Sequence, residues 1–317
     1  MSIPRPQLDT ELSARLAGMP LGTTIDADIL AQMRQYKTPV ETLLEGRLVE
    51  RQEVQISTTD GYALPLSIFR PAGAIAQNAP CIYWVHGGGM VMGDRFANLD
   101  IALDWLERFG ATVVTVDYRL APEASGSTLV EDCYAGLAWV AANASELRIA
   151  PSRIVVAGAS AGGGLVAGMT LMARDRGGPA IAAQILICPM LDHRNDTLSS
   201  RQYSGEPGIW THEKNAFGWQ SVLGADDLEV SPYISAALAP DLSGLPTTYI
   251  DAGTAEVFRD EDTTYASRIW AAGGQAELHI WAGGFHGFDA MFPDAALSTA
   301  ARRARTSWLA RVLDAAA

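Results

Sequence analysis

Ile154-Val155-Val156-Ala157-Gly158-Ala159-Ser160-Ala161-Gly162-Gly163-Gly164 is the stretch whose reading decides the fold. An apolar, β-branched run ends at Ala157, a serine follows inside Gly-x-Ser-x-Gly, and small residues come after it. The first part reads as a buried strand and the last as the start of a closely packed helix. Gly158 and Gly162 lack side chains, so strand and helix can approach each other on either side of Ser160. A helix opening there points its free amides and positive dipole end at the serine hydroxyl. Alone the motif is weak, because a chain with 30 glycines produces such pentapeptides by chance, and a turn that merely packs looks the same.

Two further stretches give it weight. His86-Gly87-Gly88-Gly89 follows the apolar run Cys81–Val85, and Phe285-His286-Gly287-Phe288 follows Leu278-His279-Ile280-Trp281. Three strand ends carrying a glycine loop, a serine elbow and a late histidine match the order an α/β-hydrolase requires, serine first, acid next, histidine last. The chemistry explains the residue types. Ser160 is the candidate nucleophile and His286 the candidate base. Gly87, Gly88 and Gly89 bring backbone N–H groups to a substrate carbonyl, and the Ala161 amide completes a candidate oxyanion hole. Losing one such donor typically costs about 3 kcal/mol of transition-state stabilisation. His86 reads as an anchor for its loop; His193, His212 and His279 read as structural or surface groups. The acid should follow the strand Thr247–Asp251, but Glu256, Asp260, Glu261 and Asp262 all lie in the next eleven residues. Position alone does not choose among them. A neutral imidazole base predicts activity that falls on the acidic side of neutrality.

Outward from these motifs, strand and helix alternate. Candidate strands are Cys81–Val85, Thr112–Val116, Ile154–Ala157, Gln184–Cys188, Thr247–Asp251 and Glu277–Trp281, mostly continuous apolar runs of the kind parallel strands show when helices cover both faces. Leu129, Cys133, Leu137 and Val140 mark an intervening helix. Two alternating runs around Thr58-Thr59-Asp60-Gly61 read as an antiparallel β-hairpin. The fold class is therefore α/β, a doubly wound, mostly parallel sheet flanked by helices. Residues 1–45 are polar, then helix-like, with Ile25, Ile29, Leu30 and Met33 at helical spacing. Residues 192–232 separate two strands without a clear third, and so long a connection is usually functional.

The 317 residues are 48% hydrophobic, enough for one large core, with a formal charge of −13. That charge argues against nucleic acid and anionic membranes as partners. Prolines at positions 4 and 6 interrupt any leader-like apolar stretch, and no run approaches membrane-spanning length, so the expectation is a cytoplasmic protein. Cys81, Cys133 and Cys188 read as buried reduced thiols. No histidine, cysteine and carboxylate cluster shows metal-ligand spacing, so neither metal nor cofactor is expected.

The chain resembles the hormone-sensitive-lipase-like family of microbial esterases (bacterial family IV) over nearly its whole length. The resemblance rests on His86-Gly87-Gly88-Gly89-Met90-Val91-Met92-Gly93, Asp117-Tyr118-Arg119-Leu120-Ala121-Pro122-Glu123, the serine elbow, and Phe285-His286-Gly287-Phe288. It implies an eight-stranded sheet and a helical cap built from 1–45 and 192–232, over a catalytic domain of 46–191 and 233–317. It implies hydrolysis of short-chain esters, roughly C2–C8 acyl, without a metal. The family's acid motif, commonly Asp-Pro-Leu-Arg-Asp-Glu, matches Glu256-Val257-Phe258-Arg259-Asp260-Glu261 and assigns the acid to Glu256. Asp260 stands second and reads as a cap of the following helix. Ala159 replaces the acidic residue usual before the serine, and the prolines usual after Ala-Pro-Glu are missing. Met90, Tyr203, Trp210 and Phe217 are candidates for the pocket wall, with packing of cap on core an equal reading for the aromatics. The expected partner is a small-molecule ester, with a homodimer left open. An amidase or deacetylase of the same fold is the alternative. A non-catalytic receptor is a third reading, against which the presence of His286 counts.

Overall fold

The computed structural model describes residues 3–73, 77–224 and 229–315; Met1, Ser2 and four positions of the 192–232 segment, 225–228, lie outside them. The hairpin forms as its pattern demands. Strands β1 (Val49–Ser57) and β2 (Ala63–Pro71) pair antiparallel with Ile56 opposite Leu64, and Gly61 N–H closes the turn on Thr58 O at 3.0 Å.

Six more strands follow: β3 (Ala79–Val85), β4 (Thr112–Val116), β5 (Ile149–Ala159), β6 (Ala183–Ile187), β7 (Thr247–Ala255) and β8 (Ala276–Phe285). They form one sheet in the order β1-β2-β4-β3-β5-β6-β7-β8. β3 to β8 pair in parallel, and β2 joins β4 antiparallel. The doubly wound class is thus the observed one. β7 and β8 run past the expected ends at Asp251 and Trp281, because their pairing resumes after a bulge with Ala255 opposite Phe285.

The apolar runs divide by parity between two faces. Ile82, Trp84, Val113, Val155, Ala157 and Ile185 pack with helices α4 (Leu99–Phe109) and α12 (Ala296–Ala315). Tyr83, Val85, Val114, Val156 and Leu186 pack on the other face with α5 (Thr128–Ala142), α7 (Ala161–Asp175) and α10 (Arg259–Ala271). Leu129, Cys133, Leu137 and Val140 lie buried on α5, as their spacing predicts.

The N-terminal region forms α1 (Thr10–Leu16), α2 (Ala27–Met33) and α3 (Val40–Leu44). Asp26 caps α2 by accepting Ile29 N–H at 2.8 Å, so the helix begins after Ile25. Ile25 and Leu30 are buried, whereas Ile29 and Met33 are exposed, so the four expected apolar positions do not share one buried face. After α6 (Ala144–Leu147), the 192–232 segment contributes α8 (Leu198–Gln202) and α9 (His212–Leu223), with no strand among its described residues. It touches the N-terminal region directly. Thr211 Oγ1 donates to Thr23 O at 2.5 Å, and Arg5 pairs with Glu206 at 2.8 Å. Among the described residues no helix is long and apolar enough to cross a membrane.

Candidate active site

Strand order reverses at β3, with β4 on one side and β5 on the other. The loops leaving β3 and β5 therefore part there, opening the crevice in which doubly wound sheets bind ligands. The β3 loop carries Gly87–Gly89 and the β5 turn carries Ser160. Ser160 adopts φ 56°, ψ −122°, a left-handed backbone costly for any residue with a side chain. Its surroundings hold it: Ser160 N–H donates to Ile187 O at 2.8 Å, and its carbonyl accepts from Gly164 and Met190 N–H at 3.0 Å each. Glycine is required at 162, since a Cβ there would lie 2.2 Å from Val85 O.

The loops after β7 and β8 deliver the other groups. Ser160 Oγ lies 2.9 Å from His286 Nε2, and Glu256 Oε2 lies 2.7 Å from His286 Nδ1. Gly253 N–H donates to the second carboxylate oxygen, Glu256 Oε1, at 2.5 Å. A carboxylate only accepts, so Nδ1 carries the imidazole proton and Nε2 presents its lone pair to the serine hydroxyl. Glu256 is 1% and His286 8% exposed. Phe258 meets the imidazole edge-on with centroids 5.1 Å apart, fixing the ring plane.

The other acidic candidates do not reach the histidine. Asp260 accepts Ser199 N–H at 2.8 Å and Arg259 Nε–H at 2.8 Å. It does not cap α10: that helix starts at Arg259 with Phe258 in the capping position and no side-chain cap, so Asp260 sits inside the first turn and serves the N-terminus of α8 instead. Asp251 is buried at the foot of the same loop against Arg305 Nε, 2.8 Å away.

A cavity of about 520 Å³ holds Ser160 and His286 on its wall with Gly87, Gly88 and Gly89. Gly87 rests against Ala159 O and Ser160 Cβ, and Ala161 is the first residue of α7, so its amide is free of the helix ladder. Of the four pocket candidates, only Trp210 lines this cavity. Met90, Tyr203 and Phe217 lie elsewhere. Met90 is buried in the core, Tyr203 stacks under the Arg5 guanidinium at 5.0 Å, and Phe217 packs on the core cluster. Helical spacing explains the last case. Within α9, Lys214 and Gly218 lie four apart on one face; Lys214 lines the cavity and Gly218 abuts Gly89, while Phe217 points about 100° away from Gly218.

The remaining histidines have separate partners. His86 is buried, donates from Nδ1 to Gly87 O at 2.7 Å and stacks on Tyr118 with centroids 4.2 Å apart; burial lowers its pKa. His193 and His212 bond Ser235 and Ser200, and His279 bonds Glu277.

Three features of the site had no functional reading in the sequence; Cys188 reads there only as a buried reduced thiol, and it is indeed buried and free. Cys188, just past β6, lies beside Glu256 and His286, and burial drives its thiol pKa well above the usual range. A cysteine ending a parallel strand next to the serine strand was the available signal. Lys214, 8% exposed, donates to Gly208 O at 2.7 Å and Ile209 O at 3.2 Å, and burial lowers its pKa. Arg305 joins buried Asp251 to Asp289, 2.5 Å away on α11 (Phe288–Met291), bracing the segment that follows His286.

With this geometry stands a match over residues 82–290 to the Abhydrolase_3 family, whose description is the alpha/beta hydrolase fold. The chain belongs to the hormone-sensitive-lipase-like α/β-hydrolases. Carboxylesterase NlhH of Mycobacterium tuberculosis is 35% identical to this hydrolase over 283 residues, covering 87% of each chain. Carboxylic ester hydrolase LipN of the same organism is 31% identical, covering 90% of this chain and 77% of its own. Among solved structures, a bacterial heroin esterase superimposes with a TM-score of 0.87 at 34% identity, covering 97% of this chain and 98% of its own. Esterase LipW from Mycobacterium marinum gives 0.87 at 30% identity, with 98% of each chain covered. This hydrolase is an esterase-type enzyme.

The family stretch around Arg119 has a visible job in this hydrolase. Arg119 forks onto buried Asp132 of α5 at 2.7 and 2.9 Å, while Tyr118 Oη–H donates to His86 O at 2.9 Å. The segment thus braces the glycine loop from behind.

Proposed function

We propose that the protein is a carboxylic-ester hydrolase acting on short-chain acyl esters through a Ser160–His286–Glu256 triad and an acyl-enzyme. The observation that carries the reading is the unbroken relay from Ser160 Oγ to Nε2 at 2.9 Å and from Nδ1 to Glu256 at 2.7 Å. Ser160 Oγ attacks the ester carbonyl while its proton passes to His286 Nε2. The new imidazolium is stabilised by the Glu256 carboxylate, which stays ionised. The carbonyl oxygen becomes an oxyanion and takes N–H donors from the glycine loop and Ala161, placed at the positive end of α7. Collapse expels the alcohol, which leaves with the proton from Nε2. Water then enters, gives its proton to Nε2, attacks the acyl carbon and releases the acid, regenerating Ser160.

The N-terminal helices and the 192–232 segment form the cap. Trp210, at 6.3 Å from the His286 ring, and Met33 close the cavity from that side. A cavity of about 520 Å³ suits a short acyl chain rather than a long triglyceride, and the carboxylesterase names of the relatives agree with an ester as substrate. The test is Ser160→Ala assayed on p-nitrophenyl esters of C2–C16 acyl chains with amide controls. Turnover should vanish with the fold intact, and an organophosphate should label Ser160 alone. Residual activity near the wild-type rate, or label elsewhere, overturns the assignment.

A further inference from the structure

Cys188 has no step in that reaction, yet its thiol stands inside the triad. Its Sγ, one Glu256 carboxylate oxygen and one His286 ring nitrogen all lie within 4.8 Å of one another. Thiolate, imidazole and carboxylate are the donors from which tetrahedral zinc centres are built, at about 2.0–2.3 Å from the ion. Ligand atoms on such a tetrahedron stand about 3.3–3.8 Å apart, so side-chain adjustment of about an ångström suffices, without moving the strands. The backbone already directs the sulfur there. Cys188 is held at φ 38°, with its N–H on Asp251 O at 2.6 Å. Cys188 and His286 both line the cavity that holds Ser160, which gives an ion a route to these buried donors.

We propose that the triad doubles as an inhibitory site for thiophilic divalent cations such as zinc or cadmium, bound by Cys188 Sγ, His286 Nδ1 and Glu256. The inhibition rests on the triad reading above; the binding does not. On binding, the Cys188 S–H bond breaks, its proton leaves to solvent and the sulfur bonds the metal. The proton on His286 Nδ1 moves to Nε2, and the freed Nδ1 lone pair takes the ion. Thiolate and carboxylate balance the two charges of the cation. Nε2–H now faces Ser160 Oγ, so the imidazole has no lone pair to accept the serine proton and the nucleophile stays protonated. Hard cations such as magnesium and calcium prefer all-oxygen sites and do not engage the thiol.

The experiment compares wild type, Cys188→Ser and Cys188→Ala, each normalised to its own uninhibited rate, under zinc, cadmium, magnesium and calcium. Zinc and cadmium should inhibit wild type and EDTA should restore it, while magnesium and calcium do nothing. Either cysteine variant should need at least about tenfold more zinc, the scale on which losing even an outer partner weakens a metal site. Cobalt provides the readout independent of turnover. Wild type and Ser160→Ala should both show a thiolate-to-cobalt charge-transfer band that the cysteine variants lack. A band in Ser160→Ala keeps the site standing even if the esterase reading fails. Wild type indifferent to zinc, cysteine variants equally sensitive, or no thiolate band in wild type would overturn the proposal.

Discussion

Replacing Glu256 by glutamine changes one atom and, by the geometry of the loop, the proton on the neighbouring ring. Gly253 N–H donates to Oε1 at 2.5 Å, which holds the amide oxygen of the glutamine at that position. The amide nitrogen then occupies the Oε2 site, 2.7 Å from His286 Nδ1, where a donor can meet only an acceptor. Nδ1 must lose its proton and Nε2 must carry it, pointing N–H at Ser160 Oγ. The same change also removes the charge that, in the proposed triad, stabilises the imidazolium. In serine proteases the matching acid-to-amide substitution costs about 10⁴ in kcat. A carboxylate so firmly oriented puts the loss here at about 10³–10⁴, or roughly 4–5.5 kcal/mol at 1.36 kcal/mol per decade, with KM little changed. The assay is kcat and KM on p-nitrophenyl butyrate for Glu256→Gln beside Asp260→Asn. Asp260 bonds Ser199 and Arg259, so its variant should lose about 1 kcal/mol of stability and keep its kcat. A collapse of kcat in Asp260→Asn with Glu256→Gln near wild type would give the role to Asp260 and rule out Glu256.

Arg305→Leu leaves Asp251, 1% exposed, without its cation, and Asp289, 2% exposed, with Arg302 alone at 3.9 Å. Breaking a buried ion pair on one side typically costs about 3–5 kcal/mol, to be read by urea unfolding; a loss under about 1 kcal/mol would contradict the pairing. Asp262 is fully buried, with neither carboxyl oxygen hydrogen-bonded, and burial followed by Glu261, Glu256 and Asp251 drives its pKa well up. A raised carboxyl contributes fully below the unfolded value of about 3.9 and loses that contribution as the pH rises through the folded one. Asp262→Asn should therefore match wild type in acid and be the more stable protein in mild alkali, by thermal unfolding across pH; a gap that opens toward acid would reverse the sign. Trp210→Ala removes the ring that rests on Gly89 and faces His286, so the acyl-length optimum should move to longer chains on the ester panel. An unchanged optimum would place the acyl group elsewhere.

The sheet was legible from the chain because its causes are local. Apolar runs such as Thr112–Val116 can be buried on both faces only in a covered parallel sheet, and the turn residues Asp60-Gly61 dictate a hairpin. Ser160 and His286 were legible for the same reason, since each sits at a strand end that sequence alone marks. The carboxylate partner of His286 was not legible from position: four carboxylates lie in eleven residues, a side chain's reach depends on the loop's path, and only the register of the family motif pointed to Glu256. Only the folded loop sets Glu256 against His286, ties Asp260 to α8 and buries Asp262 without a partner. The pocket wall lay beyond the sequence as well. One residue of helical phase separates Phe217 from the Lys214–Gly218 stripe, and that phase is set by how α9 lies on the glycine loop. Cys188 illustrates the limit best. Its strand end was readable, but its closeness to a glutamate 68 positions later and a histidine 98 positions later exists only because β6 and β7 lie side by side and the β8 loop folds back over them.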